Sequence, residues 1–222
     1  MPRRPNMTLA VKRLIRDVAG RVEEFSHVRA SRVLVVAGEA RRASRATIRP
    51  AHFAETGGRG GRGRVKPLVR VRGRKILYVV TLRPRWFVAS TPEERIATVL
   101  HELYHASERF DGTLHPERLH ERLPRSAYDR RIRALCARYL ATAPDEVLAP
   151  FAHRGAVRVR MWLERPTGSY RPGEYGGRRV YTEAQLFQGL MPMRDPVRRK
   201  ARGTGRRRAR PRSGPGRRTG GR

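Results

Sequence analysis

Between Thr8 and Phe25, apolar side chains fall at Val11, Leu14, Ile15, Val18, Val22 and Phe25, three or four residues apart. That spacing lines one face of a helix, with Thr8 as a plausible N-cap. Val33–Ala37 is a short continuous apolar run and reads as a buried strand. A second strand is expected over Ala46–Phe53, interrupted by Pro50, and a hairpin from Val65–Val71 and Lys75–Leu82 around Arg72-Gly73-Arg74. Thr91-Pro-Glu-Glu94 is a capping box with proline at the first helical position. The helix it opens buries Ile96, Val99, Leu100 and Leu103. A further helix is expected over Ser126–Leu140, its apolar face carrying Tyr128, Ile132, Leu135, Cys136 and Tyr139. Val157, Val159, Met161 and Leu163 alternate as in a strand, Arg165–Gly177 reads as a loop, and Tyr181–Leu190 fits helix or strand. This mixed order is that of an α+β fold.

Composition narrows the class. Of 222 residues, 38% are hydrophobic, and the longest apolar runs, such as Val33–Ala37 and Ile76–Val80, fall far short of a membrane span. The N-terminus lacks the apolar stretch of a secretory signal. With the single Cys136, neither a disulfide framework nor a four-cysteine zinc ribbon can form. A cytoplasmic protein is expected, with no membrane partner. Charge changes the picture more. There are 51 Lys and Arg against 19 Asp and Glu, a net charge of +32. Such a surface attracts polyanions, so DNA or RNA is a candidate partner and the nucleoid a candidate location. Residues 194–222 are rich in Arg, Gly and Pro and nearly free of apolar side chains, and are expected to form a disordered basic arm. Residues 1–193 are expected to form one domain, with a flexible Gly/Arg loop over 56–64.

The chemistry lies in Val99-Leu-His-Glu-Leu-Tyr-His-Ala106, an HExxH motif inside the capped helix. Histidines four apart stack on one face, where they can share a metal ion. At this composition a chance HExxH is on the order of a one-percent event. Two imidazoles and a third ligand would hold Zn²⁺ with a position open to water, whose pKa falls to about 7. Glu102, beside the first ligand, is the candidate general base, taking the water's proton and passing it to the leaving amine. Three residues are candidates for the third ligand. Asp111 lies six positions after His105, but Glu108 stands where the longer HExxHxxGxxH motif has the glycine of its turn. His115 precedes Pro116, and His120 falls on or near a short helix expected over Pro116–Leu123. His120 fits best, then His115, then Asp111. Tyr128 could approach the metal site as an oxyanion donor but reads first as helix-face packing, and Cys136 reads as core on the same face. His27, His52 and His153, without partner spacing, read as ordinary surface or loop residues.

Arg83-Pro-Arg-Trp-Phe87, Thr91-Pro-Glu-Glu94, His101-Glu-Leu-Tyr-His105 and Phe110-Asp-Gly112 together resemble the putative phage metallopeptidase family. More distantly the chain resembles SprT-like zinc proteases, which carry HExxH and a later histidine. The resemblance implies that His101 and His105 are metal ligands, Glu102 the catalytic base and His120 the later histidine. It implies a minimal zincin-like fold, a small twisted, mostly antiparallel sheet packed on the N-terminal helix and the HExxH helix. The expected activity is zinc-dependent hydrolysis of proteins or peptides, and the charge of the chain makes nucleic-acid-associated proteins the candidate targets. An extended peptide is expected to add to an edge strand near Lys75–Leu82. The alternative is a basic nucleic-acid-binding protein whose zinc site is structural or vestigial.

Overall fold

A computed structural model describes residues 4–39, 44–51, 65–118, 125–166, 168, 170, 171, 173, 174, 176 and 179–195. The Gly/Arg loop over 56–64, His120 and residues 196–222 of the basic arm lie outside the described residues. The chain opens with helix α1 (Met7–Arg21) and reaches strand β1 (Val33–Ala37) through two 3₁₀ turns. Strands β2 (Ala46–Pro50), β3 (Leu68–Val71), β4 (Arg74–Lys75) and β5 (Tyr78–Leu82) follow. Next come helices α2 (Pro84–Phe87), α3 (Pro92–Tyr104), α4 (Arg125–Leu140) and α5 (Asp145–Ala152). The chain ends in β6 (Gly155–Trp162), β7 (Val180–Tyr181) and β8 (Leu186–Met193). The α+β class is borne out. No helix among the described residues is long and apolar enough to cross a membrane.

The main sheet has the order β2-β5-β1-β6-β8. It is mixed: β1 runs parallel to β5 and β6, while the outer pairs β2–β5 and β6–β8 are antiparallel. Every residue of β1 is buried because both faces of the sheet are covered. Val33, Val35 and Ala37 join the helices' core with Phe25, Leu103, Tyr139 and Phe151. Leu34 and Val36 face a second, three-stranded sheet, β4-β3-β7, through Val69, Val71, Ile76 and Tyr181.

The expected hairpin is only half local. Arg72 (φ 51°) and Gly73 (φ 70°) make a two-residue turn that pairs β3 with β4. Beyond Lys75 the chain leaves the small sheet, and Tyr78–Leu82 enters the main one between β1 and β2. The expectation that the strand near Lys75–Leu82 is an edge is therefore overturned. Among the described residues the edge on that side is β2.

The N-terminus is built into the sheet. β6 pairs with β1 only at Ala37 and Met161 and then diverges. Residues 5 and 6 occupy the gap: the Arg158 amide donates to the Pro5 carbonyl (2.8 Å), and Asn6 forms a parallel bridge with Arg158. Asn6, not Thr8, caps α1, accepting from the Leu9 amide. The buried Thr8 hydroxyl instead donates to the Val35 carbonyl (3.4 Å) and accepts from the Arg160 amide (2.9 Å), joining β1 to β6.

A buried cation locks the helices together. Arg95 of α3 is 2% exposed. Its guanidinium donates to the carbonyls of Phe87 (3.2 Å) and Val88 (2.6 Å) at the end of α2, Phe151 near the end of α5, and Arg194 just after β8 (3.0 Å). The last carbonyls of a helix lack intrahelical donors and carry partial negative charge, so a cation there is favourable. Arg95→Met leaves these carbonyls without that donor and is expected to cost roughly 3–5 kcal/mol, read as a lower urea midpoint.

Candidate active site

The helix that carries the motif starts as expected. The Thr91 hydroxyl accepts from the Glu94 amide (3.1 Å), and the Glu94 carboxylate accepts from the Thr91 amide (3.0 Å) and pairs with Arg45 (2.6 Å). Ile96, Val99, Leu100 and Leu103 are all buried, fixing the rotation of α3 about its axis. His101 and Glu102 fall in the last turns of α3, and His105 is its C-cap residue. The two imidazole centroids lie 5.1 Å apart, near-perpendicular.

Glu102 is 7% exposed and points toward the sheet edge, where its Oε2 accepts from the Ile48 amide (2.8 Å). In the register of β2 against β5, Ile48 faces away from β5, so its amide is free of the ladder and available to the carboxylate. One amide offsets only part of the desolvation. Burial dominates and raises the Glu102 carboxyl to about 7.

His105 is fixed by the chain that follows it. Its Nδ1 lies 2.7 Å from the Arg118 carbonyl. A carbonyl can only accept, so Nδ1 carries the proton, and in the neutral ring Nε2 keeps its lone pair. The intervening loop folds back so that the His115 amide donates to the His105 carbonyl (2.9 Å). Tyr78 of β5 holds this loop, its hydroxyl donating to the Thr113 carbonyl (2.7 Å) and accepting from the Gly112 amide (3.1 Å). Gly112 has φ 97°, a conformation suited to glycine.

Tyr128 of α4 completes the cluster. Its ring stacks on His105 (17° between planes) and meets His101 edge-on. Its hydroxyl lies 3.2 Å from His105 Nε2 and 3.3 Å from the His101 carbonyl. Burial, then the Glu102 carboxylate, hold this phenol well above its ordinary pKa, so it remains a donor. α4 is anchored from behind: the Tyr139 hydroxyl donates to Asp17 (2.9 Å), and Arg131 and Arg138 pair with Glu24.

The structure brings His101, Glu102 and His105 together and treats the third-ligand candidates differently. Asp111 is exposed and accepts from the Thr113 amide (3.0 Å) and hydroxyl (2.7 Å). The His115 ring accepts from the Glu117 amide (3.3 Å) and faces Glu108 (3.7 Å). His120 lies outside the described residues, as does most of the helix expected over Pro116–Leu123, of which a 3₁₀ turn at Pro116–Arg118 is described. Among the described residues no group of three or more His, Cys, Asp or Glu is placed to hold a metal ion. His101, His105 and their surroundings nevertheless suit one: two imidazoles on one helical face, one with Nδ1 held by a carbonyl, as ligating histidines commonly are.

Tyr128 packs as its helical face predicts and also lies against both histidines. Its helical spacing signalled burial correctly, but that it is buried against the two histidines depends on where α4 crosses α3. Cys136 is buried core as expected, its thiol raised by burial to about 11. His52 lies outside the described residues, and His27 is a partly buried turn residue. It sits edge-on to Phe110, and burial lowers its pKa.

Over residues 5–125, more than half of the chain, the sequence matches the model of the family described as Putative phage metallopeptidase. The protein belongs to that family. The match ends at the first residue of α4, so Tyr128, α5 and β6–β8 lie beyond it. No curated protein and no solved structure gives a significant match to the chain.

The burial of Glu102 has a measurable cost in metal-free protein. A carboxyl raised from 4.5 to about 7 destabilises the fold once it ionises. The cost is absent below the unfolded pKa, grows between about 4.5 and 7, and is complete above that. At about 1.4 kcal/mol per pKa unit it is on the order of 3 kcal/mol. In chelator-treated protein, Glu102→Gln is therefore expected to unfold at higher urea than wild type at pH 8, the gap closing as the pH falls to 4.5.

Proposed function

We propose that this protein is a zinc-dependent metallopeptidase in which His101, His105 and His120 hold the metal and Glu102 is the general base. The observation that carries the reading is the pairing of the two imidazoles with a buried, nearly neutral-range carboxyl on the same helix, His105 being held by the Arg118 carbonyl. His120 is supported by its flanks. Arg118, two residues before it, and Tyr128, eight after it, both touch His105.

When bound, zinc supplies Lewis acidity and lowers the pKa of coordinated water to about 7. Glu102, with its own pKa near that value, is suited to take a proton from water at neutral pH and return it to the departing amine. The protonated Tyr128 hydroxyl is placed to donate to the oxygen on which charge develops. An extended peptide has β2, outermost in the main sheet among the described residues, beside Glu102, where Ala46 and the Ile48 carbonyl face away from β5. The substrate is a protein or peptide, and the charge of the chain favours proteins associated with nucleic acid.

Metal analysis of the purified protein tests the site. Wild type is expected to carry about one zinc per chain. His101→Ala, His105→Ala and His120→Ala should lose it, while His115→Ala and Glu102→Gln retain it. Loss in His115→Ala instead of His120→Ala would reassign the third ligand, and no zinc in wild type after reconstitution would overturn the reading. Glu102→Gln, with zinc retained, is expected to lose about 10²–10⁴-fold in peptide hydrolysis. Unchanged turnover would remove Glu102 from the chemistry.

A further inference from the structure

Away from the HExxH helix, the folded chain gathers cations around Lys12. Many of the carboxylates are already committed: Asp17 to Arg21, Glu24 to Arg131 and Arg138, Glu94 to Arg45, and Glu108 to Arg118. Around Lys12 the balance differs. Lys12 is half-buried on α1, one turn beyond Thr8, whose hydroxyl accepts from the Arg160 amide of β6 (2.9 Å). That contact brings Arg160 alongside α1. The β3–β4 turn supplies Arg72 and Arg74, both exposed, and the Arg72 amide donates to the Glu183 carboxylate. Arg16, exposed on α1, lies one helical turn past Lys12.

These five cations come from three separate elements and act on one another. Burial lowers the Lys12 pKa most, and the charges of Arg160, Arg72, Arg16 and Arg74 lower it further. Glu183 is set against the group, its pKa lowered by its own backbone and the Arg72 amide and then by the charges of Arg160 and Arg72. One carboxylate against five cations leaves a strong surplus. Like charges gathered around a half-buried ammonium destabilise the free chain, and a row of phosphates relieves the repulsion while releasing counterions.

We propose that Lys12, Arg16, Arg72, Arg74 and Arg160 form a docking face for the sugar-phosphate backbone of nucleic acid, built by the folded domain and separate from the basic arm. Arg160 lies beyond the span that matches the family, so the face is not a feature of the matched region alone. It also lies away from the candidate active site. β6 and β2 are separated by β1 and β5 in the sheet, about 14 Å at the usual strand spacing. Nucleic acid bound there leaves the β2 edge open to a protein.

The test is fluorescence anisotropy with the full chain and labelled 20-mers: duplex DNA, single-stranded DNA and single-stranded RNA. The variant is Lys12→Gln/Arg16→Gln/Arg72→Gln/Arg74→Gln. The control, Arg109→Gln/Arg130→Gln/Arg133→Gln/Arg154→Gln, removes the same charge from exposed positions elsewhere. Thermal melts confirm that both fold. At 150 mM salt the first variant is expected to bind at least about 10-fold more weakly than wild type, the control within about 3-fold. For duplex DNA, at a slope of about 0.9 per phosphate contact, the first variant's salt dependence should flatten by up to about 3.6. The three oligonucleotides distinguish which polyphosphate the face prefers. Equal losses in variant and control would reduce the effect to net charge and overturn the proposal. So would unchanged affinity in the variant, or a loss confined to phosphatidylserine vesicles. None of these outcomes bears on zinc content or peptide hydrolysis.

Discussion

The fold depends on a buried guanidinium held by backbone carbonyls. Arg95 takes its place in the core by donating to the carbonyls of Phe87 and Val88 at the end of α2, Phe151 near the end of α5 and Arg194 after β8. Arginine suits this role because it stays charged when buried and presents several donors in one plane, which an ammonium cannot match. Elements from three parts of the chain thereby converge on α3. The helix is held at its first turn, and its last two turns project histidines and a carboxylate whose spacing is set by the helix itself.

Arg95 and Glu102 stand seven residues apart on that helix, two turns, and both are buried. The same physics treats them differently. Arg95 is surrounded by acceptors, and its burial is stabilising in context. Glu102 has the Ile48 amide and otherwise a poorly solvating environment, so its charged form is disfavoured. The first arrangement makes a rigid scaffold. The second keeps a carboxyl near the point where it can both take and release a proton, at the expense of stability in the metal-free chain.

Much of this was legible in the residues. The capping box of α3, its buried stripe, the α4 face, β1 and the HExxH spacing all depend on local periodicity and short-range chemistry, and the structure follows them. What local pattern could not carry was pairing at long range. Lys75–Leu82 reads as one strand because its alternation is unbroken, yet β4 and β5 belong to different sheets. Thr8 looks like a cap because threonines often are, but its hydroxyl is used by strands distant in sequence. Helix α5 was missed because it is short and carries Pro150. The Ile48 amide and Arg118 carbonyl that touch the site are backbone groups, to which side-chain pattern is blind. His120 rests on spacing and on the two neighbours that bracket it.

The insertion of residues 5–8 beside β6 has a consequence for biosynthesis. The Thr8–Arg160 contact joins groups 152 residues apart, so residues 5–8 cannot be seated until the chain through β6 has been made. At roughly 5–20 residues per second that interval is on the order of 10–30 s. During it, α1 can pack on β1, but the side that meets α5 and β6 stays uncovered. Helix α3, with its histidines and carboxylate, is thus made well before the sheet that backs it is complete.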